Sequence, residues 1–252
     1  MKKVLYSLAA SILFLGATAQ TKNAKVTYEE RIALKIELEG EAAQFASMLP
    51  KEQKATKALH FNEEGSIFIT ETAPKATEIN QETEGGGEVK IKMNRPEEIT
   101  FCDLKKNKKV EQKEFMTRKF IIESDISMGT WKLTGNQKTI LGFPCQEAVR
   151  EDSVKKSIAW FTPAIPVSIG PSGFEGLPGL VLEVNVNNGE YTLNASKVES
   201  GMADAKLLVK PTEGKKMTKE AYKKMVDEKT AEMRKLNGGG GKGNVIIKVD
   251  RH

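Results

Sequence analysis

From Leu182 to Val198, apolar and polar residues alternate on either side of Asn188-Gly189. Successive side chains of a strand point to opposite faces, and Asn-Gly favours the type I′ turn, whose two positive φ angles suit a tight hairpin. The expected pairing sets Val186 opposite Tyr191, Val184 opposite Leu193 and Leu182 opposite Ala195, all on one face. Asn185, Asn187, Glu190, Thr192 and Asn194 take the other face. A one-residue slip would turn the whole apolar set to water, so the pattern fixes register as well as structure.

Shorter runs of the same kind predict strands over 25–38, a hairpin over 58–72 around Asn62-Glu63-Glu64-Gly65, and strands at 100–104 and 110–124 flanking Lys105–Lys109. Further strands are expected at 131–133, 139–150 and 157–161. Residues 41–48 read as a short helix ending before Pro50. The polar stretch about 73–88, with Gly85-Gly86-Gly87, reads as a mobile loop. Near the end the period changes: Tyr222, Met225, Val226, Met233 and Leu236 share one helical face, with Thr218 as N-cap and Asn237-Gly238 as the stop. The fold expected is mainly β (α+β): a large curved antiparallel sheet, half-barrel-like, with one long C-terminal helix. Residues 20–237 form its single domain, and 238–252 form a Gly-rich tether with a short terminal strand.

The first 19 residues read differently. Lys2 and Lys3 precede the apolar run Val4–Leu15, and Ala17-Thr18-Ala19 supplies the small-x-small pattern of a signal-peptide cleavage site, so cleavage after Ala19 is expected. The run is too short to span a bilayer. The expected location is the periplasm or cell envelope. Removing both lysines lowers the formal charge from +5 to +3, too little to argue for nucleic acid. In an oxidising compartment the two cysteines, Cys102 and Cys145, are candidates for a disulfide. It would close a loop of about 44 residues, worth roughly 4 kcal/mol by chain entropy. Two free buried thiols, or one reactive thiol, are the alternatives.

No catalytic constellation is legible. His60 is the only histidine before the last residue, and a Cys–His pair using it is weaker than an ordinary structural role. No His or Cys spacing fits a metal, and no cofactor motif is present; Gly241-Lys242-Gly243 lacks both the Ser/Thr and the strand-to-helix context of a phosphate loop. Lys105–Lys109 reads as a solvated hairpin tip, with contact to anionic head groups as the alternative.

Residues 163–179 hold four of the nine prolines, Pro163, Pro166, Pro171 and Pro178, interleaved with Gly170, Gly173, Gly176 and Gly179. Joined to strands on both sides, such a segment reads as a rigid irregular loop, and Leu177-Pro178-Gly179-Leu180 reads as a type II turn with positive φ at Gly179. Gly176-Leu177-Pro178-Gly179-Leu180-Val181 resembles the signature of the GLPGLI family, exported proteins of Bacteroidetes. Trp131, Ile140, Gly142, Cys145, Ala148, Ala159-Trp160-Phe161-Thr162, Ile165-Pro166, Gly170-Pro171 and Glu183 extend the resemblance. The antiparallel series with its proline-bearing bend is also similar, at the level of fold, to LolA-like periplasmic lipoprotein carriers, whose curved sheet wraps an apolar cavity.

These features point to a non-enzymatic envelope protein that binds a lipid or other apolar ligand, or an outer-membrane or envelope protein. Its rim would comprise Pro166, Gly170, Pro171, Phe174, Gly176, Leu177, Pro178, Gly179 and Leu180, with Phe174, Leu177 and Leu180 making contact. The alternatives are an assembly accessory pairing through the edge of 244–249, and a thiol-dependent enzyme.

Overall fold

The computed structural model describes residues 22–34, 47–74, 77–82, 88–93, 95–127, 129–153, 155–237 and 244–245. The expected leader, nearly all of the 41–48 helix, and the tether lie outside them. In chain order the elements are β1 (Ala24–Ala33), β2 (Glu52–Phe61), β3 (Gly65–Thr72), β4 (Thr77–Glu82), β5 (Glu88–Met93), β6 (Glu98–Asp103), β7 (Lys108–Phe115) and β8 (Arg118–Asp125). They continue with β9 (Lys132–Ile140), β10 (Phe143–Glu151), β11 (Lys156–Thr162), β12 (Leu180–Val186), β13 (Tyr191–Ser200), β14 (Lys215–Met217), α1 (Lys219–Asn237) and β15 (Asn244–Val245).

Twelve strands form one sheet in the order β14-β8-β7-β6-β3-β2-β1-β13-β12-β11-β10-β9. Its neighbours are antiparallel except β14 and β8. The order is open, with β14 and β9 as edges, so the sheet is not a closed barrel. β1 sits at the centre, pairing with β2 on one side and β13 on the other. The hairpin read from the sequence is present: Val186 pairs with Tyr191 and Val184 with Leu193, and all four are buried. Positive φ begins one residue earlier than expected, at Asn187, and continues through Asn188 and Gly189.

Three further expectations are corrected. Residues 110–124 do not form one strand; Met116 and Thr117, at φ 51° and 62°, turn the chain between β7 and β8. Neither is a usual turn residue, and eight cross-strand pairs hold them there. Residues 139–150 are likewise broken, at Leu141-Gly142. The supposed loop at 73–88 contains β4, which pairs with β5 from Thr77–Met93 to Glu82–Glu88 in a separate small sheet that β15 joins.

The inner face of the large sheet is apolar. Val26 faces Leu59 and Val198, Leu59 faces Phe68, and Val184 faces Ala159, which faces Ala148. Ile165, Ile169, Phe174, Leu177 and Leu180 from the 163–180 segment join the same core. Each buried side chain of this size contributes roughly 1.5–3 kcal/mol. The sheet curls around that segment, because β7 near one end and Trp131 just before the opposite edge strand both reach Glu175 within it.

Behind the sheet, residues 201–214 run from β13 across the outer face to β14. The amide of Ala203 bonds the Asn23 side chain, that of Asp204 bonds His60 Nδ1, and Lys210 pairs with Glu123. In α1, Thr218 caps the first turn by accepting the Ala221 amide at 3.1 Å. Tyr222, Met225, Val226 and Met233 are half-buried, and Tyr222 packs edge-on against Phe120 of β8. The side chain of Leu236 lies outside the described residues.

Candidate functional site

The segment expected to be a rim is instead largely the filling of the concave side. Phe174, Leu177 and Leu180 are 3%, 1% and 0% exposed, so they are core residues and unavailable for surface contact. Phe174 stacks on Tyr191. Pro171 and Gly179 are also buried, Gly170 and Gly176 are half-buried, and Pro166 and Pro178 are exposed.

The turn chemistry also differs from expectation. Positive φ falls at Gly173 and Gly176, not at Gly179. Pro178 sits at the apex of a three-residue turn closed by the Gly179 amide on the Leu177 carbonyl at 2.8 Å. Gly179 is required for another reason: a Cβ there would overlap the Thr162 carbonyl. A Cβ at Gly170 would overlap the Phe174 carbonyl in the same way. Backbone meets backbone at both points, which is how an irregular segment packs inside a sheet without voids.

Charged groups are buried around this filling, and they neutralise one another. Lys109 Nζ lies 2.6 Å from Glu175 Oε1, at 13% and 4% side-chain exposure. Burial works against the Lys109 ammonium, but Glu175 outweighs it and raises the pKa. The Arg150 guanidinium lies 4.6 Å from the centre of the Trp131 ring and 5.6 Å from that of Phe174. Trp131 Nε1 donates to the Glu175 carbonyl. Beyond Tyr191, whose hydroxyl donates to Glu30 at 3.0 Å, Arg95 pairs with the other Glu30 oxygen. Lys113 lies 3.0 Å from both Glu98 and Glu111. Trp131, Phe174 and Tyr191 stand out in the sequence, but the buried pairing of these charged groups does not, and Lys109 reads there as part of an exposed tip. Lys105, Lys106 and Lys108 are indeed exposed and pair with Glu64, Asp103 and Asp125. Their charge is locally balanced.

Cys102 and Cys145 are free and buried, so the disulfide is not formed. They stand on β6 and β10, with six strands between them in the sheet. Burial pushes the Cys102 thiol up to about 12 and raises that of Cys145, which removes thiolate reactivity at neutral pH. His60 cannot serve Cys102: it pairs with Ile67, whereas Cys102 pairs with Ser66, so the two side chains point to opposite faces. Among the described residues no group of His, Cys, Asp or Glu could hold a metal. No described helix is long and apolar enough to cross a membrane.

Two open grooves mark the outer face. One, of about 480 Å³, is lined by Phe101, Asp103, Lys108, Glu123 and Lys210 beside the 201–214 segment. The other, of about 280 Å³, lies over Glu29, Thr56, Thr72 and Asn194. Both are polar.

This architecture is similar to that of PNGF-II, solved in two crystal forms, with TM-scores of 0.53 and 0.52 at 18% and 17% identity. In each case 82% of this chain is covered, but the chain spans only about a third of the solved one (34% and 33%). No curated protein matches the chain. The family model that matches, over residues 87–227, is described as N-glycanase peptide, N-terminal domain, and it is a different family from the GLPGLI proteins that the Gly176–Val181 motif resembles. The match spans more than half of the sequence, and the chain belongs to this N-glycanase N-terminal domain family.

Proposed function

We propose that this chain is a non-catalytic binding module, exported to the cell envelope by its leader, which engages an envelope partner on its outer side. The observation that carries this reading is the occupied interior. Ile165, Ile169, Phe174, Leu177 and Leu180 fill the concave side that a carrier would keep for its cargo, and the buried lysine, arginine and glutamate side chains around them are paired internally. The family lends support, since its description is that of an N-terminal domain, and the similar solved chains are more than twice as long. A fold used as one part of larger chains suits an accessory role.

Native mass spectrometry of the exported chain, followed by crosslinking in the envelope, tests this. The expected result is the bare protein mass together with a specific crosslinked partner. A lipid-sized adduct that leaves on denaturation would restore the carrier reading and sink this one.

A further inference from the structure

Arg150 stands outside the internal neutralisation of the concave side. It lies near the end of β10, half-buried, with its guanidinium against the rings of Trp131 and Phe174. Two carboxylates act on it from a distance, and each is engaged elsewhere. Glu175 is held by Lys109 at 2.6 Å, and Asp152 Oδ1 accepts the Lys155 amide at 2.8 Å. Ring contact engages the face of the guanidinium and leaves its in-plane N–H donors for an acceptor. Gly129 keeps room beside them, since a Cβ there would stand 3.2 Å from Arg150 Nη1. Two more cations meet at this margin. Lys155, in the β10–β11 turn, is half-buried, and Lys219, the first residue of α1, is exposed. The charges of Arg150, Lys113 and Lys219 all bear on Lys155, with Asp152 as the opposing acid; burial and these like charges hold its ammonium below the ordinary pKa. Lys113 is already matched by Glu98 and Glu111. Among the described residues, Arg150, Lys155 and Lys219 form no ion pair.

We propose that Arg150, Lys155 and Lys219 together hold a tetrahedral oxyanion, phosphate or sulfate, free or carried as a monoester on a larger molecule. The guanidinium fork presents parallel donors to two oxygens, and the two ammonium groups add compact point charges. Three uncompensated cations suit a doubly charged group better than a single carboxylate. An anion among them also removes their mutual repulsion, which is strongest where Arg150 and Lys155 are shielded from water. The positive end of α1, at Lys219, acts in the same direction. The site lies on the margin of the concave side, away from the outer face, so it goes beyond the binding-module reading and does not depend on it.

Thermal melts of the full chain in phosphate, sulfate, acetate and chloride, matched for ionic strength, test the proposal. Phosphate and sulfate should raise the melting temperature saturably above that in chloride, since a ligand of the folded state stabilises it by mass action. Phosphorus NMR should show sulfate displacing bound phosphate. Lys155→Gln with Lys219→Gln removes two charges that make no ion pair, so it should weaken binding roughly tenfold or more without lowering the melting temperature in chloride. Arg150→Lys keeps the charge, loses the fork and should weaken binding as well. An equal rise in chloride, acetate binding as tight as phosphate, or affinity indifferent to both variants would overturn the site. Sedimentation with phosphatidylcholine vesicles containing phosphatidic acid identifies the source. Co-sedimentation that free phosphate competes away assigns the monoester to a lipid headgroup, and saturable phosphate binding without it assigns a small soluble anion. Partner crosslinking in a protein that binds no oxyanion removes this site alone, whereas oxyanion binding without any crosslinked partner removes the module alone.

Discussion

The hydroxyl of Tyr28 donates a 2.6 Å hydrogen bond to the backbone carbonyl of Val181, 153 residues further along the chain, and both residues are completely buried. The bond ties the central strand β1 to the point where the filling segment re-enters the sheet. Tyr28→Phe keeps the ring and leaves that carbonyl without its partner. The expected cost is about 1–3 kcal/mol, read as a lower urea midpoint at unchanged slope. An unchanged midpoint would show that the carbonyl finds another donor.

Alkaline stability follows from the same hydroxyl and from Tyr191. Burial raises both above the ordinary value near 10, and Glu30 raises Tyr191 further. The folded chain therefore keeps these protons to higher pH than the unfolded chain does. Stability should be intact below pH 10 and fall as pH rises beyond it. Melting curves between pH 9 and about 11.5 measure this; Tyr28→Phe should flatten the decline, and a decline identical to wild type would remove Tyr28 as a cause.

Lys109 and Glu175 offer a double-mutant test. Lys109→Met leaves a buried carboxylate unpaired and should cost about 3–5 kcal/mol. Adding Glu175→Gln should recover a large part of that loss. Simple additivity of the two substitutions would mean that the pair is not coupled in solution.

Gly179 and Gly142 separate two roles of glycine. Gly142 has positive φ and open space around it, so Gly142→Ala should cost about 1 kcal/mol. Gly179→Ala meets the Thr162 backbone and should cost more, about 1–3 kcal/mol or above. Equal losses would contradict the close approach of the two backbones.

Neither thiol should react with a maleimide at neutral pH until the protein is unfolded, after which both should. One rapidly labelled thiol in the folded state, or a mass showing a disulfide, would contradict the burial of Cys102 and Cys145.

The β12–β13 hairpin was legible because local signals agree: alternation on both arms and Asn-Gly between them. The β7–β8 hairpin was not, since Phe115-Met116-Thr117-Arg118 contains no turn residue and its positive φ angles are imposed by pairing. The proline and glycine density of 163–179 marked it as rigid, yet the direction of its side chains depends on a sheet that sequence alone does not curl. Glu175 illustrates this: its partner Lys109 is 66 residues away, in what read as a solvated tip.

Strand β1 also governs when the protein can fold. Its two partners are β2, made soon after it, and β13, whose last residue Ser200 pairs with Ala24 at its start. As the chain is made, the N-terminal meander can assemble early, but the joint between the two halves of the sheet cannot form until nearly four-fifths of the chain has emerged. Pairing across that span is slow, because closure entropy opposes it before any contact rewards it. Through that interval β1 has one naked edge, and the interior residues of 163–180 have no sheet to enter. A chain of this topology is exposed to edge-to-edge aggregation until its last strands arrive.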